Sequence, residues 1–140
     1  MIILDTNVLS EVMKLRPAPQ VLDWLGRQDR ADLHTTAISR AESLAGIAAM
    51  PAGRRREALE AMATRIFDED FEDRVLAFDV EASTHYAAVV AIRQRAGRPT
   101  RPLDAMIAAI ARSRGAVVAT RSLRDFEGCG VELRDPWRGG

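Results

Sequence analysis

The sequence predicts an α/β fold: an α/β/α sandwich around a central, mainly parallel sheet of four or five strands. Two observations predict it. Short apolar runs at residues 1–4, 33–36, 75–78, 116–119 and 131–133 alternate with longer segments in which apolar residues recur every three or four positions. That is the pattern of buried strands separated by amphipathic helices. Proline and glycine stand between the segments, at Pro17, Pro19, Pro51, Gly53, Gly97, Pro99, Pro102 and Gly115, where one element ends and the next begins. A chain of 140 residues is expected to form one domain, residues 1–140, with a sizeable core.

Residues 1–4 form the first strand, and from Thr6 onward Val8, Leu9 and Val12 recur at helical spacing, so a helix follows directly and runs to about Leu15. Asp5 therefore sits where a strand hands over to a helix, as an N-cap or as a ligand at the sheet edge. After Pro17 and Pro19 a second helix carries Val21, Leu22, Trp24 and Leu25 on one apolar face. Residues 33–36 are the next strand. It leads into a third helix, in which Leu44, Ala45, Ile47 and Ala48 keep helical spacing, Glu42 falls in the first turn, and Ser39 and Glu42 have capping-box spacing. A fourth helix over 54–66 buries Ala58, Leu59, Met62, Ala63 and Ile66, and the acidic run 68–73 reads as a solvated loop.

Residues 75–78 are a third strand, after which Asp79 caps a long helix over 80–96 that ends at Gly97. Pro102 suits the first position of the following helix, which puts Asp104 in its first turn and Ile107, Ile110 and Ala111 on its buried face. Gly115 ends that helix. Residues 116–119 form a small-residue strand with Thr120, Arg121 and Ser122 at its carboxyl end, and residues 131–133 a final edge strand.

The formal net charge is zero, with 20 basic and 20 acidic residues, so no global field steers the chain onto nucleic acid or an anionic membrane. Any polyanion must be gripped locally. Lys14 is the only lysine, and Cys129, the only cysteine, excludes an intrachain disulfide and points to a cytoplasmic home. The longest late apolar run, residues 105–111, is too short to span a bilayer, and the apolar start is broken at Asp5 before it can serve as a signal sequence.

Each acid has an ordinary structural explanation: Asp5 as an N-cap, Glu42 in a capping box, Asp104 as a complement to a helix dipole. Taken together they mean more. Right-handed crossovers bring the carboxyl ends of parallel strands to one edge, which collects Asp5 and the Glu42 turn. The helix carrying Asp104 runs antiparallel to the strand after it, so its start lies beside Thr120, Arg121 and Ser122, with Asp125 close by in sequence. Several carboxylates at one edge repel one another unless a cation sits among them, and oxygen ligands without cysteine or paired histidine select Mg²⁺, or Mn²⁺, over zinc. Metal-assisted phosphodiester hydrolysis needs such a cluster.

Five stretches carry a family resemblance: IILDTNVLSE at 2–11, TAISRAESLAG at 36–46, PLDAMIAAIA at 102–111, ATRSLRDF at 119–126 and Asp135-Pro136-Trp137. In this order they resemble PIN-domain ribonuclease toxins of the VapC type, FitB-like branch, across essentially the whole chain. The resemblance implies a PIN-like sandwich, a Mg²⁺-dependent endoribonuclease acting on RNA, and the toxin role in a type II toxin–antitoxin pair. It further implies a homodimer and a small DNA-binding antitoxin that blocks the pocket. It makes Asp5, Glu42 and Asp104 the metal-binding acids, with Thr6 and Asn7 nearby in support; Thr120, at the end of the 116–119 strand, is a further supporting candidate by position. Relatives often carry Asn or Asp where Ser122 stands, so Ser122 is expected to support and Asp125 to act as the fourth acid.

Arg93, Arg95, Arg98 and Arg101 precede Asp104, and Arg121 follows the 116–119 strand; these are candidate grips on RNA phosphates. Arg54, Arg55 and Arg56 read as a solvated face, His34 and His85 as structural, and Trp24 and Trp137 as packing anchors. Two rival functions remain at this stage. An aspartyl-phosphate phosphatase or receiver-like domain also places an acid after its first strand, but the phosphatase wants a second acid where Asn7 stands, and both want a late lysine. An inactive PIN-like binding module would be consistent with Ser122.

Overall fold

The computed structural model describes all 140 residues. Five strands, β1 (Ile2–Leu4), β2 (Leu33–Thr36), β3 (Val75–Leu76), β4 (Val117–Ala119) and β5 (Glu132–Arg134), form one sheet in the order β3-β2-β1-β4-β5. Every pairing is parallel. The helices are α1 (Thr6–Val12), α2 (Pro19–Gly26), α3 (Ala37–Ala48), α4 (Arg54–Thr64), α5 (Val80–Arg95), α6 (Pro102–Arg114) and the four-residue α7 (Leu123–Phe126). The α/β/α sandwich expected from the sequence is the fold observed, and no helix is long and apolar enough to cross a membrane.

Central strand β1 pairs with β2 on one side and with β4 on the other, where Ile2, Ile3 and Leu4 lie opposite Val117, Val118 and Ala119. Its side chains alternate between two cores. Ile3 and Val118 pack with Ala82 and Val89 of α5 and with Ala105, Ile107, Ala108, Ile110 and Ala111 of α6. Leu4 and Ala119 pack with Val8 and Leu9 of α1, Val21 and Trp24 of α2, Ile47 of α3 and Ala63 of α4. A strand covered on both faces must be apolar at successive positions, hence the unbroken run at the start of the chain.

Several expected boundaries shift, each for a local reason. Helix α1 stops at Val12 because Glu11 accepts the Ala18 backbone N–H at 2.9 Å and turns the chain back, while Leu15 is exposed and has no apolar surface to meet. Leu22 is likewise exposed, so the apolar face of α2 rests on Val21 and Trp24. Helix α3 is capped by Thr36, whose hydroxyl accepts the Ser39 N–H at 3.1 Å; Glu42 therefore lies in the second turn, and Ser39 is not the cap. After α4 the chain continues as a π-helical turn, Arg65–Asp70, that buries Ile66 and Phe67 side by side, so the first half of the acidic run is wound rather than loop. Strand β3 ends at Leu76 and β5 begins at Glu132.

Gly115 closes α6 with φ 62°, in the left-handed region, where the N–H of Ala116 returns to the Ala111 carbonyl at 2.9 Å. A Cβ there would meet nothing within 4 Å, so a side chain costs only backbone strain. Gly115→Ala is expected to lower stability by about 1 to 2 kcal/mol without changing the fold. Urea unfolding with an unchanged m-value and a lower midpoint is the measurement.

Candidate metal centre

The sheet order reverses direction at β1: one run of chain builds outward through β2 to β3, and the next returns to β4 and β5 on the other side. The crevice beyond the carboxyl ends of β1 and β4 is the topological switch point, where parallel sheets bind ligands. Asp5 follows β1 there, its N–H bonded to the Ala119 carbonyl at 3.0 Å. One carboxylate oxygen accepts the Thr6 N–H at 2.8 Å and the other accepts the Thr120 hydroxyl at 2.7 Å. Asp5 thus caps α1 and ties the two strands together at once. Burial, to 5% exposure, drives its carboxyl up to about 6 against those two hydrogen bonds, and the charges of Asp104 and Glu42 add to the rise.

Thr6 gathers the next element. Its hydroxyl donates to Glu42 Oε1 at 2.8 Å and lies 3.0 Å from Ser39 Oγ, fixing the second turn of α3 against the start of α1. Asn7 gathers the third: its amide nitrogen lies 3.2 Å from both Thr120 Oγ1 and Ser122 Oγ, and its oxygen accepts the Arg121 N–H at 3.4 Å. The Ser122 N–H also bonds Thr120 Oγ1, at 3.0 Å.

Asp104 enters from the first turn of α6 and is buried. Burial raises its carboxyl above the ordinary range; Arg101 opposes the rise, and Asp125 and Glu42 reinforce it. Arg101 Nε stands 3.2 Å from Asp104 Oδ2, close enough for an ion pair but without hydrogen-bond alignment, so this buried oxygen has no donor.

Asp5, Glu42, Asp104 and Asp125 line one pocket of about 430 Å³, together with Thr6, Asn7, Ser122, Arg101 and Arg121. The structure therefore brings the four expected acids and their expected neighbours to one place. It does not bring the other arginines. Arg93 is buried and donates to the carbonyls of Arg124 and Glu127 at 3.0 and 2.8 Å, which ties α5 to α7 and removes it from any phosphate. Arg98 pairs with Glu127 at 3.0 Å, and neither it nor Arg95 lines the pocket.

The lining also includes Ser10, Glu11 and Lys14, which sequence reasoning gives no site role. Ser10 and Glu11 lie on α1, Glu11 one turn after Asn7, and Lys14 follows two residues after the helix ends. The spacing from Asn7 of four and then three is the signal that could have marked Glu11 and Lys14. Lys14 donates to Glu11 at 2.9 Å and, with the Ala18 N–H, holds that carboxyl below its usual range. Trp137, expected to pack, does so and also lines the pocket.

The donor set suits a hard divalent cation: it is all oxygen, it contains no thiol or imidazole, and one of its buried oxygens lacks a donor. No three of its carboxylates converge closely enough to enclose an ion unaided. Mg²⁺ does not need that, since it keeps several waters and takes one or two carboxylates with substrate phosphate.

Fold and pocket define an α/β/α protein with a carboxylate site at the switch point of a parallel sheet. The chain belongs to the PIN-domain family, whose model matches residues 2–126. It is 41% identical to plasmid stability protein StbB of Pseudomonas syringae pv. tomato, over 98% of this chain and 99% of that protein. Identity to VapC ribonuclease Y4jK of Sinorhizobium fredii is 40%, over 98% of both. The solved structure of FitAB bound to the IR36 DNA fragment matches with a TM-score of 0.88 at 31% identity, covering 98% of this chain and 96% of that one.

If the acids are crowded, their charge is a standing cost without metal. The carboxyl of Asp104 ionises less readily in the folded chain than in the unfolded one, so at pH 7 the charged form destabilises the fold. Asp104→Asn should therefore melt higher than wild type in EDTA, and wild type should overtake it in millimolar Mg²⁺. A helix-dipole role alone predicts the reverse in EDTA and an equal Mg²⁺ response in both proteins.

Proposed function

We propose that this protein is a Mg²⁺-dependent endoribonuclease, with Mn²⁺ an acceptable substitute, and the toxin of a type II toxin–antitoxin pair acting in the cytoplasm. The observation that carries the reading is the gathering of Asp5, Glu42, Asp104 and Asp125 around one pocket, in a chain 40% identical to a VapC ribonuclease over nearly its whole length. The small antitoxin partner and the homodimer rest on the same kinship; relatives of this type have been solved as FitAB and VapBC assemblies on DNA.

A bound ion would neutralise phosphate charge and lower the pKa of an attacking water. The residues' own contributions follow from their contacts. Asp5, held by the Thr6 N–H and the Thr120 hydroxyl, cannot rotate, and it presents its remaining lone pairs to the pocket. Glu42 is aimed by Thr6, and Asp104 offers the oxygen that has no donor. Asp125, exposed on α7, is the fourth acid; Ser122, hydrogen-bonded to Asn7, keeps the loop after β4 in place. Arg101 is the counter-charge of Asp104 until a cation arrives. Its side chain is 73% exposed, so the pair is weak and exchange costs little. Once free, Arg101 stands with Arg121 beside the pocket as a fork for phosphate.

The aspartyl-phosphate alternative gains nothing. The strand order is not the β2-β1-β3-β4-β5 order of receiver domains. The position two residues after Asp5 is an amide engaged with Thr120 and Ser122, not an acid.

Purified protein should cleave RNA with Mg²⁺ or Mn²⁺ and not in excess EDTA. Asp5→Asn and Asp104→Asn should each slow cleavage by about a hundredfold or more. Undiminished cleavage by wild type in EDTA would overturn the metal mechanism.

A further inference from the structure

Trp137 is the one apolar side chain in the lining of the acid pocket, and its position is tightly set. The turn that carries it, Pro136–Arg138, is capped by buried Asp135, which accepts the Trp137 N–H at 2.9 Å, while the Arg138 and Gly140 N–H groups bond the Asp135 carbonyl at 3.0 and 2.9 Å. The indole is half-buried: part packs on the core beneath α2, and the rest faces the pocket. Over the ring sits the exposed guanidinium of Arg121, 5.1 Å from the ring centroid. A cationic group already lies over this indole, beside the carboxylates.

Arg121 also marks a junction. With Ser122 and Asp125 it lines both the acid pocket and a neighbouring groove of about 540 Å³, where Arg124 and Arg138 stand among the carboxylates of Asp125, Glu127 and Asp135 and Arg138 pairs with Asp135 at 3.7 Å. A single strand of nucleic acid at the acid pocket therefore has beside it an aromatic face and the exposed guanidinium of Arg121. An aromatic platform with a cation next to it is how proteins hold unpaired nucleotides.

We propose that Trp137 and Arg121 form a nucleotide subsite next to the metal centre. The indole takes the unpaired base beside the scissile phosphate, and Arg121 moves from the ring onto the backbone phosphate. The subsite rests on the ribonuclease reading above. It requires single-stranded RNA at the cut and discriminates little among bases, since every base has a π-face. Trp137 is then a positioning residue, felt in substrate binding more than in the chemical step.

The test uses an RNA oligonucleotide with one mapped cleavage site and a set of single abasic substitutions around it, assayed with Mg²⁺. In wild type, the abasic site next to the cut should raise KM roughly 5- to 150-fold, with a smaller change in kcat. Trp137→Leu, which keeps apolar packing but has no π-face, should raise KM on intact RNA by a similar factor and lose the abasic penalty. Trp137→Phe should retain most of both. Fluorescence supplies a readout independent of turnover: Trp24 is buried, so quenching by a 2′-O-methyl oligonucleotide should report Trp137 and vanish in Trp137→Phe. An abasic penalty that survives intact in Trp137→Leu overturns the subsite and leaves the ribonuclease intact. Failure of wild type to cleave any RNA with metal removes both.

Discussion

The structure depends on one carboxylate held across the seam between β1 and β4. Asp5 is buried at the end of the central strand, where an isolated charge is costly. The fold offsets that cost with two hydrogen bonds from opposite sides of the switch point, one from the backbone of Thr6 and one from the hydroxyl of Thr120. The consequences run outward from there. Because Asp5 caps α1, Thr6 and Asn7 are the first residues of that helix and point sideways into the crevice. Thr6 then fixes Glu42, and Asn7 fixes Ser122 and the loop after β4. Three consecutive residues collect side chains from α3 and the β4–α7 connection into one pocket.

The same residues explain what could be read from the chain and what could not. Where a boundary is marked by a residue with one strongly preferred role, as with Asp79 capping α5, Pro102 opening α6 and Gly115 closing it, the sequence reading and the structure agree. That Asp5, Glu42, Asp104 and Asp125 lie around one pocket was also legible, because it follows from parallel topology rather than from side-chain detail. Glu42 fell a turn late because Thr36 serves both as the last residue of β2 and as the helix cap, and propensity cannot say which hydroxyl does the capping. The π-turn after α4 was hidden because its bonds reach one residue further than those of an α-helix, which shifts the register so that Ile66 and Phe67 both face inward.

Arg93 was misread for a tertiary reason. An arginine in the last turn of a long helix looks solvated, since its local sequence carries only the period of α5. Its partners, the carbonyls of Arg124 in α7 and of Glu127 just after it, belong to a stretch too short to announce itself by periodicity. Trp137 was half-read for a related reason: it packs as expected, yet whether an aromatic face is also presented to a pocket depends on a turn fixed by Asp135.

Charge balance ties the site to the rest of the chain. With formal net charge zero, the molecule has no long-range attraction for a polyanion, and the pocket itself is acidic. Within it Lys14 is spent on Glu11, while Arg101 contacts Asp104 through an exposed and poorly aligned ion pair. RNA approaching the metal-free site would meet uncompensated carboxylates. In the function proposed here Asp5, Glu42 and Asp104 would hold a divalent ion whose charge would offset their own, and Asp104 engaged in that way would leave Arg101 free for substrate phosphate. That proposal requires the Arg101–Asp104 pair to be weak, since a well-aligned bidentate pair at that position would compete with the metal for the carboxylate.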